Sequence, residues 1–145
     1  MSALGTLRRL RAETRDRERE AFARRLSELR LAEELLRRAS ARWESQRGRV
    51  DRRAEARVSV FTTRVATASA VPHARHEVRL REELEALAFG REVAGRELSA
   101  RVGRTDQARD ALARAEASLA VLERLLARRE AEGRRRLTRR AEESR

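Results

Sequence analysis

The sequence of 145 residues contains no cysteine, no lysine and no tyrosine, and it has a single proline. Without cysteine it can form no disulfide, no thiol nucleophile and no cysteine-based zinc site. Without lysine it cannot supply the phosphate-binding loop that ends in Gly-Lys-Ser or Gly-Lys-Thr. Aromatic residues make up only 3% of the chain, so the large side chains that fill a sheet core are scarce. These absences argue against a β fold and against several classes of enzyme.

Charged residues are abundant instead. Because the chain has no lysine, its positive side chains other than histidine are all arginines. The chain has 36 arginines against 24 acidic residues, a net charge of +12. Residues 1–30 contain nine arginines and five acidic residues, residues 31–115 contain eighteen and thirteen, and residues 116–145 contain nine and six. Because acids are interleaved throughout, this distribution favours a solvated helical surface over a specific nucleic-acid site.

No apolar run approaches the roughly 20 residues of a membrane span. Arginines interrupt the N-terminal stretch from Arg8 onward, so it lacks the apolar core of a signal peptide. We therefore expect a cytoplasmic protein without a transmembrane segment.

The first half of the chain predicts one long helix over about residues 3–66. Apolar residues recur every seven positions at Phe22, Leu29, Leu36, Trp43 and Val50. Such a repeat is typical of a helix that packs along one stripe against another helix. Leu26 and Phe61 belong to the same predicted stripe, which we call the seam.

The second half predicts a helix over about residues 74–142 with a stricter repeat. One heptad position holds Leu84, Leu98, Leu112, Leu119 and Leu126, with Arg91 and Thr105 in its gaps. Its partner position holds Leu80, Leu87, Ala94, Ala108, Ala115 and Leu122, with Arg101 in its gap. Two interleaved series of this length predict a coiled coil. At about 1.5 Å per residue, each arm would be about 100 Å long.

The only proline, Pro72, predicts a bend near residues 67–76. Between the two predicted helices, the bend itself covers about residues 67–73. Proline disfavours helical geometry in the preceding residue but is tolerated in the first turn of a new helix. The predicted fold is therefore all-α, a single domain over residues 1–145 in which two long helices form an antiparallel coiled-coil hairpin. A continuous kinked helix is the alternative.

A bend at Pro72 also predicts which residues face each other. Paired residue numbers would add to about 144, which sets Phe22 near Leu122, Leu29 near Ala115 and Leu36 near Ala108. Trp43 would then face residues 101–105. At that position either Arg101 stacks on the indole or the indole meets a partner.

No catalytic, cofactor-binding or metal-binding site is expected. The glycines are scattered singly, and the carboxylates lie three or four residues from arginines, as in ordinary surface ion pairs. His73 and His76 share one helical turn, but no further ligands converge on them. We therefore predict a protein that is not an enzyme.

Three candidate partner-binding surfaces remain. Phe89 and Val93 lie on the face of the second arm opposite the seam, and Leu31 and Leu35 form a similar pair on the first arm. Alternatively, these pairs only widen the apolar stripe beneath neighbouring arginine stems. The third surface is a basic tip where the two chain ends would meet, with the residues Leu7, Leu10, Arg11, Arg134, Arg135, Arg136 and Leu137.

In length, composition and paired heptad pattern the whole chain resembles the central-stalk proteins of type III secretion systems, the SctO/YscO family, whose flagellar counterpart is FliJ. The resemblance implies a stalk whose paired ends enter a hexameric secretion ATPase, promote its assembly and hydrolysis, and link it to a membrane export-gate protein. It also implies export chaperones as partners and a peripheral location at the inner face of the export apparatus.

Two other functions are compatible with the sequence. A generic coiled-coil scaffold would use the Leu31/Leu35 and Phe89/Val93 pairs to self-associate. A basic helical nucleic-acid-binding protein would bind tightly and lose affinity steeply with salt. The interleaved acids and the lack of an exposed aromatic series argue against the second function.

Overall fold

The computed structural model describes residues 3–62 and 70–144, and it is built from two α-helices. Helix α1 spans Ala3–Thr62 and helix α2 spans Ala70–Glu143. Every residue in the described ranges is helical except Ser144. The predicted all-α fold of two long helices that pack against each other is confirmed.

Composition explains why both segments are helical along their length. Alanine, leucine, arginine and glutamate are among the best helix formers, and neither helix contains an internal proline. Pro72 is the third residue of α2, in the first turn, where its missing N–H has no helical partner to lose. Helix α2 thus begins four residues before the predicted restart at residue 74. Of the predicted bend, residues 67–69 lie outside the described part of the chain.

The helices contact each other in two compact units. We call Met1–Ser27 with Gly103–Arg145 the terminal unit, and Glu28–Val102 the central unit. In the terminal unit the helices run antiparallel. Arg8 pairs with Glu123 at 3.5 Å, and the Arg11 guanidinium donates a 2.7 Å hydrogen bond to the carbonyl of Ser118.

Contacts in the central unit also join antiparallel helices. Arg101 pairs with Glu28 at 2.7 Å, and the Gln46 amide donates a hydrogen bond of 2.9 Å to the Glu83 carboxylate. Further along, Arg57 pairs with Glu77 at 2.7 Å.

These contacts define a register that differs from the predicted one. Residue numbers add to 131 for Arg8 with Glu123 and to 129 for Glu28 with Arg101, not to about 144. The predicted pairing of Phe22 with Leu122 and the predicted position of Trp43 are therefore wrong. The reason is the role of Pro72: it lies inside the start of α2 rather than at the centre of the bend.

Burial follows the heptad stripes on both helices. Leu119 and Leu122 are buried, and the other described residues predicted for the seam are half-buried: Phe22, Leu26, Leu29, Leu36, Trp43, Val50, Leu84, Leu87, Leu98, Leu112 and Leu126. The Phe61 side chain lies outside the described residues. Partial burial is expected, because a helix that packs against one neighbour has that stripe covered from one side only.

Candidate interaction surfaces

The predicted basic tip is not one surface. Leu7 and Leu10 flank Arg8, whose partner is Glu123 on α2, whereas Arg134, Arg135, Arg136 and Leu137 lie three turns or more further along α2. Arg11 belongs to the seam, because its guanidinium is bound to the Ser118 carbonyl.

The end of α2 is instead an exposed basic helix. All residues from 132 to 144 are exposed. The leucine repeat stops after Leu126, and the positions that would continue the two heptad series hold Arg129, Gly133, Arg136 and Arg140. An α-helix needs an apolar stripe to pack against a partner helix, so the sequence itself ends the seam here. We call residues 127–143 the arginine-rich end.

The two apolar pairs predicted on separate arms lie on the same face of the central unit. Leu35 on α1 and Val93 on α2 line one open groove of about 470 Å³. Small residues form its floor: Ala39, Ala86, Gly90 and Ala94. The prediction that Val93 lies opposite the seam is wrong, because Val93 borders the seam residues Leu87 and Ala94 in this groove. Sequence reasoning missed the juxtaposition with Leu35, which follows from the register.

Leu31 and Phe89 extend this apolar face along each helix. Each lies one helical turn from a groove residue, Leu31 from Leu35 and Phe89 from Val93, and side chains four apart share a helical face. Their exposed fractions are 63% for Leu31 and 67% for Phe89. We call the groove with these two side chains the Leu35–Val93 groove.

Trp43 lies between two arginines on the seam. The Arg91 guanidinium carbon is 4.8 Å from the centre of the indole ring, and that of Arg47 is 5.2 Å away. Both are within the distance of a cation–π contact. Of the two alternatives for Trp43, stacking by Arg101 is wrong, because the observed register places Arg91, a seam position, over the ring instead. A second open cavity of about 360 Å³ borders Trp43.

Arg101 has a different role in the seam. Its guanidinium binds Glu97 on its own helix and Glu28 on α1, both at 2.7 Å. These hydrogen bonds, first that of Glu97 and then that of Glu28, raise the pKa of Arg101. Through its bond to Glu28, the guanidinium ties the two helices of the central unit together.

Two polar seam residues are more deeply buried than the sequence suggested. Gln46 is 6% exposed, and so is Thr105, whose hydroxyl donates to the Arg25 carbonyl at 3.3 Å. Thr105 was recognised as a gap in the leucine series, but Gln46 was missed. The sequence signal for Gln46 was a repeat of seven residues that it shares with Ala32 and Ala39. This repeat is weaker than the neighbouring one that contains Leu36 and Trp43, because its alanines are small.

The two histidines do not belong to any of these surfaces. His73 and His76 are exposed in the first turns of α2. Within residues 3–62 and 70–144, no three His, Cys, Asp or Glu side chains are grouped closely enough to hold a metal ion. In the same ranges, no helix combines the length and the apolarity needed to cross a bilayer.

Comparisons with protein-family models, with curated proteins and with solved structures find no match to this chain. Function must therefore be argued from the described surfaces themselves.

Proposed function

We propose that this protein is a non-enzymatic stalk component of a type III secretion apparatus, which inserts into the hexameric secretion ATPase, promotes its assembly and activity, and couples it to the membrane export gate. The observation that carries the proposal is the arginine-rich end of α2, which is helical, exposed and projects past the seam. Such a segment suits a stalk, because an exposed helical end is available for contact with a ring of another protein, whereas a buried seam is not.

Charge gives this end a physical reason to bind an acidic surface. Residues 127–143 carry seven arginines against four acids. Exposed arginines contact carboxylates weakly and reversibly, and salt screens these contacts. A shaft that turns or releases within a ring needs contacts of this kind rather than a permanent interface.

The Leu35–Val93 groove supplies a second contact surface in the same proposal. A coupling protein must hold two partners at once, and an exposed apolar groove differs chemically from a basic helix. We assign the arginine-rich end to the ATPase and the Leu35–Val93 groove to the export gate or to an export chaperone.

The experiment is to copurify this protein with a candidate secretion ATPase and to measure ATP hydrolysis with and without it. We expect binding and faster hydrolysis, both weakened when Arg134, Arg135 and Arg136 are changed to Glu. A matched control makes the same charge change in the central unit, at the exposed arginines Arg49, Arg52 and Arg53, and should retain stimulation. Absence of both binding and stimulation by the unaltered protein would sink the proposal.

A generic scaffold is the second candidate, and the Leu35–Val93 groove favours it. Exposed apolar patches often mark contacts between proteins, including contacts between copies of one chain. Sedimentation over a range of concentrations separates the candidates. A monomer at all concentrations supports the stalk, and a concentration-dependent dimer supports the scaffold.

A further inference from the structure

The Leu35–Val93 groove has the geometry of a site for a third helix. On α1 the apolar side chains recur at Leu31, Leu35 and Ala39, and on α2 they recur at Ala86, Phe89 or Gly90, and Val93. Spacings of three and four residues align such side chains in rows along each helix. A helix laid between two such rows can insert its own side chains into the gap between them.

Gly90 keeps the floor of this groove open. A methyl group built at Gly90 would meet no atom within 4 Å, so close packing in the described chain does not require glycine at this position. Glycine in a helix interior lowers helix stability relative to alanine. Gly95, Gly103 and Gly133 have the same open space, but Gly90 lines the Leu35–Val93 groove. There the lack of a side chain allows another backbone to approach closely.

Charge along the edges of the groove indicates what kind of helix fits. On the α1 edge, Glu34 pairs with both Arg37 at 3.0 Å and Arg38 at 2.9 Å, which leaves one positive charge in that cluster. Arg42 adds a second positive charge to this edge. On the α2 edge, Glu97 is already bound to Arg101. The positive edge is therefore the one along α1.

We propose that the Leu35–Val93 groove binds an amphipathic helix of another protein, with leucine-like side chains in the groove and acidic side chains along α1. A second copy of this chain is a poorer occupant, because each copy carries a net charge of +12 and like-charged copies repel. The inference rests on the assignment of this groove to a partner in the proposed function and names the chemistry of that partner. Its test uses no ATPase, so its failure is distinguishable from a failure of the ATPase experiment.

The probe is a fluorescein-labelled synthetic peptide of about 20 residues, long enough to form a helix. Its leucines follow a heptad repeat, and glutamates line one edge. A second peptide replaces the glutamates with lysines. Fluorescence polarisation measures the affinity of each for the full chain. We expect the glutamate peptide to bind and the lysine peptide to bind at least about ten-fold more weakly.

The decisive variant is Gly90→Leu, which places a side chain in the groove floor. It should weaken binding of the glutamate peptide by about ten-fold or more, because the floor can no longer accept a helix. The matched control is Gly103→Leu, at another exposed helical glycine with open space around it but outside the groove. Circular dichroism checks that both variants are as helical as the original chain. If the Gly90→Leu variant is less helical than the original chain, the Val93→Gln variant is used in its place.

Reversing the charge on the α1 edge tests the second half of the proposal. Arg42→Glu should reduce affinity for the glutamate peptide and raise it for the lysine peptide. Three results would overturn the proposal: no binding of the glutamate peptide to the unaltered chain, equal effects of Gly90→Leu and Gly103→Leu, or a dimer of this chain that Gly90→Leu abolishes. The last would make a second copy the occupant.

Discussion

The terminal and central units use the same two helices in different ways. In the terminal unit the apolar side chains face the seam, with Leu122 at 3% exposed, Leu119 at 6% and Ala115 at 8%. In the central unit the deeply buried residues are Ala32 and Gln46, while large apolar side chains lie on the surface. The most deeply buried leucines lie in the terminal unit, although Leu7, Leu10, Leu125 and Leu137 of that unit are exposed. The apolar pairs that border the Leu35–Val93 groove lie in the central unit.

This contrast separates stability from recognition. Burial of leucine in the terminal seam stabilises the pairing of the helices. The central seam contains Gln46 and Arg101, and polar seam residues lower stability but specify which residues pair. Leucines that are displayed rather than buried contribute little to stability, so their presence on one face points to a partner. The following tests examine that division.

The largest effect should come from truncating a terminal seam leucine. Leu122→Ala removes a side chain that is almost fully buried, so we expect a loss of about 2–4 kcal/mol in the free energy of unfolding. The matched change, Leu35→Ala, removes a side chain that is 50% exposed and should cost less than about 1 kcal/mol. Urea denaturation followed by circular dichroism measures both. Equal losses would contradict the division between the units.

The register can be tested with introduced cysteines, because the chain has none of its own. A double variant with cysteines at Arg8 and Glu123 should be joined by a short bismaleimide crosslinker, because the long side chains at these positions meet at their tips. A second double variant with cysteines at Phe22 and Leu122, which a register centred on Pro72 would pair, should not be joined by it. Mass spectrometry after treatment reads out the crosslink. Preferential crosslinking of the second pair would show that the helices pair about two heptads away.

Replacing Gln46 should affect specificity more than stability. Gln46→Leu removes a buried amide and its bond to Glu83. We expect the free energy of unfolding to change by less than about 1.5 kcal/mol, in either direction, since an apolar residue at a seam position compensates for the lost hydrogen bond. The yield of the bismaleimide crosslink between positions 8 and 123 should fall when Gln46→Leu is added to that double variant. An unchanged yield would mean that Gln46 does not help to set the register.

The smallest expected effect is at the sole tryptophan. Arg91→Ala removes the closer of the two guanidinium groups on the Trp43 ring, a contact worth about 0.5–1 kcal/mol at a partly exposed site. Trp43 emission should shift to longer wavelength as the ring becomes more hydrated. The control, Arg101→Ala, removes a side chain that a register centred on Pro72 would place near the ring, and it should leave the emission unchanged. A shift in the control alone would restore the expected pairing.

Sequence alone predicted the surfaces of each helix well but not how they combine. The Leu31/Leu35 and Phe89/Val93 pairs were recognised separately from their positions off the seam. Their union in one groove depends on Leu35 and Val93 lying across from each other, which the heptad pattern does not fix. The basic tip failed for the same reason, since it assumed that the two ends of the chain are level.

The amino-acid sequence by itself determined the helices and their contact stripes. Good helix formers without internal proline make each arm helical, and the repeats of seven select the residues that pack. Only the tertiary structure decided the register. A displacement of about two heptads leaves the same residues on the seam, so the leucine pattern cannot distinguish the alternatives. Polar contacts between specific residues, such as Arg101 with Glu28 and Gln46 with Glu83, join the helices in the observed register.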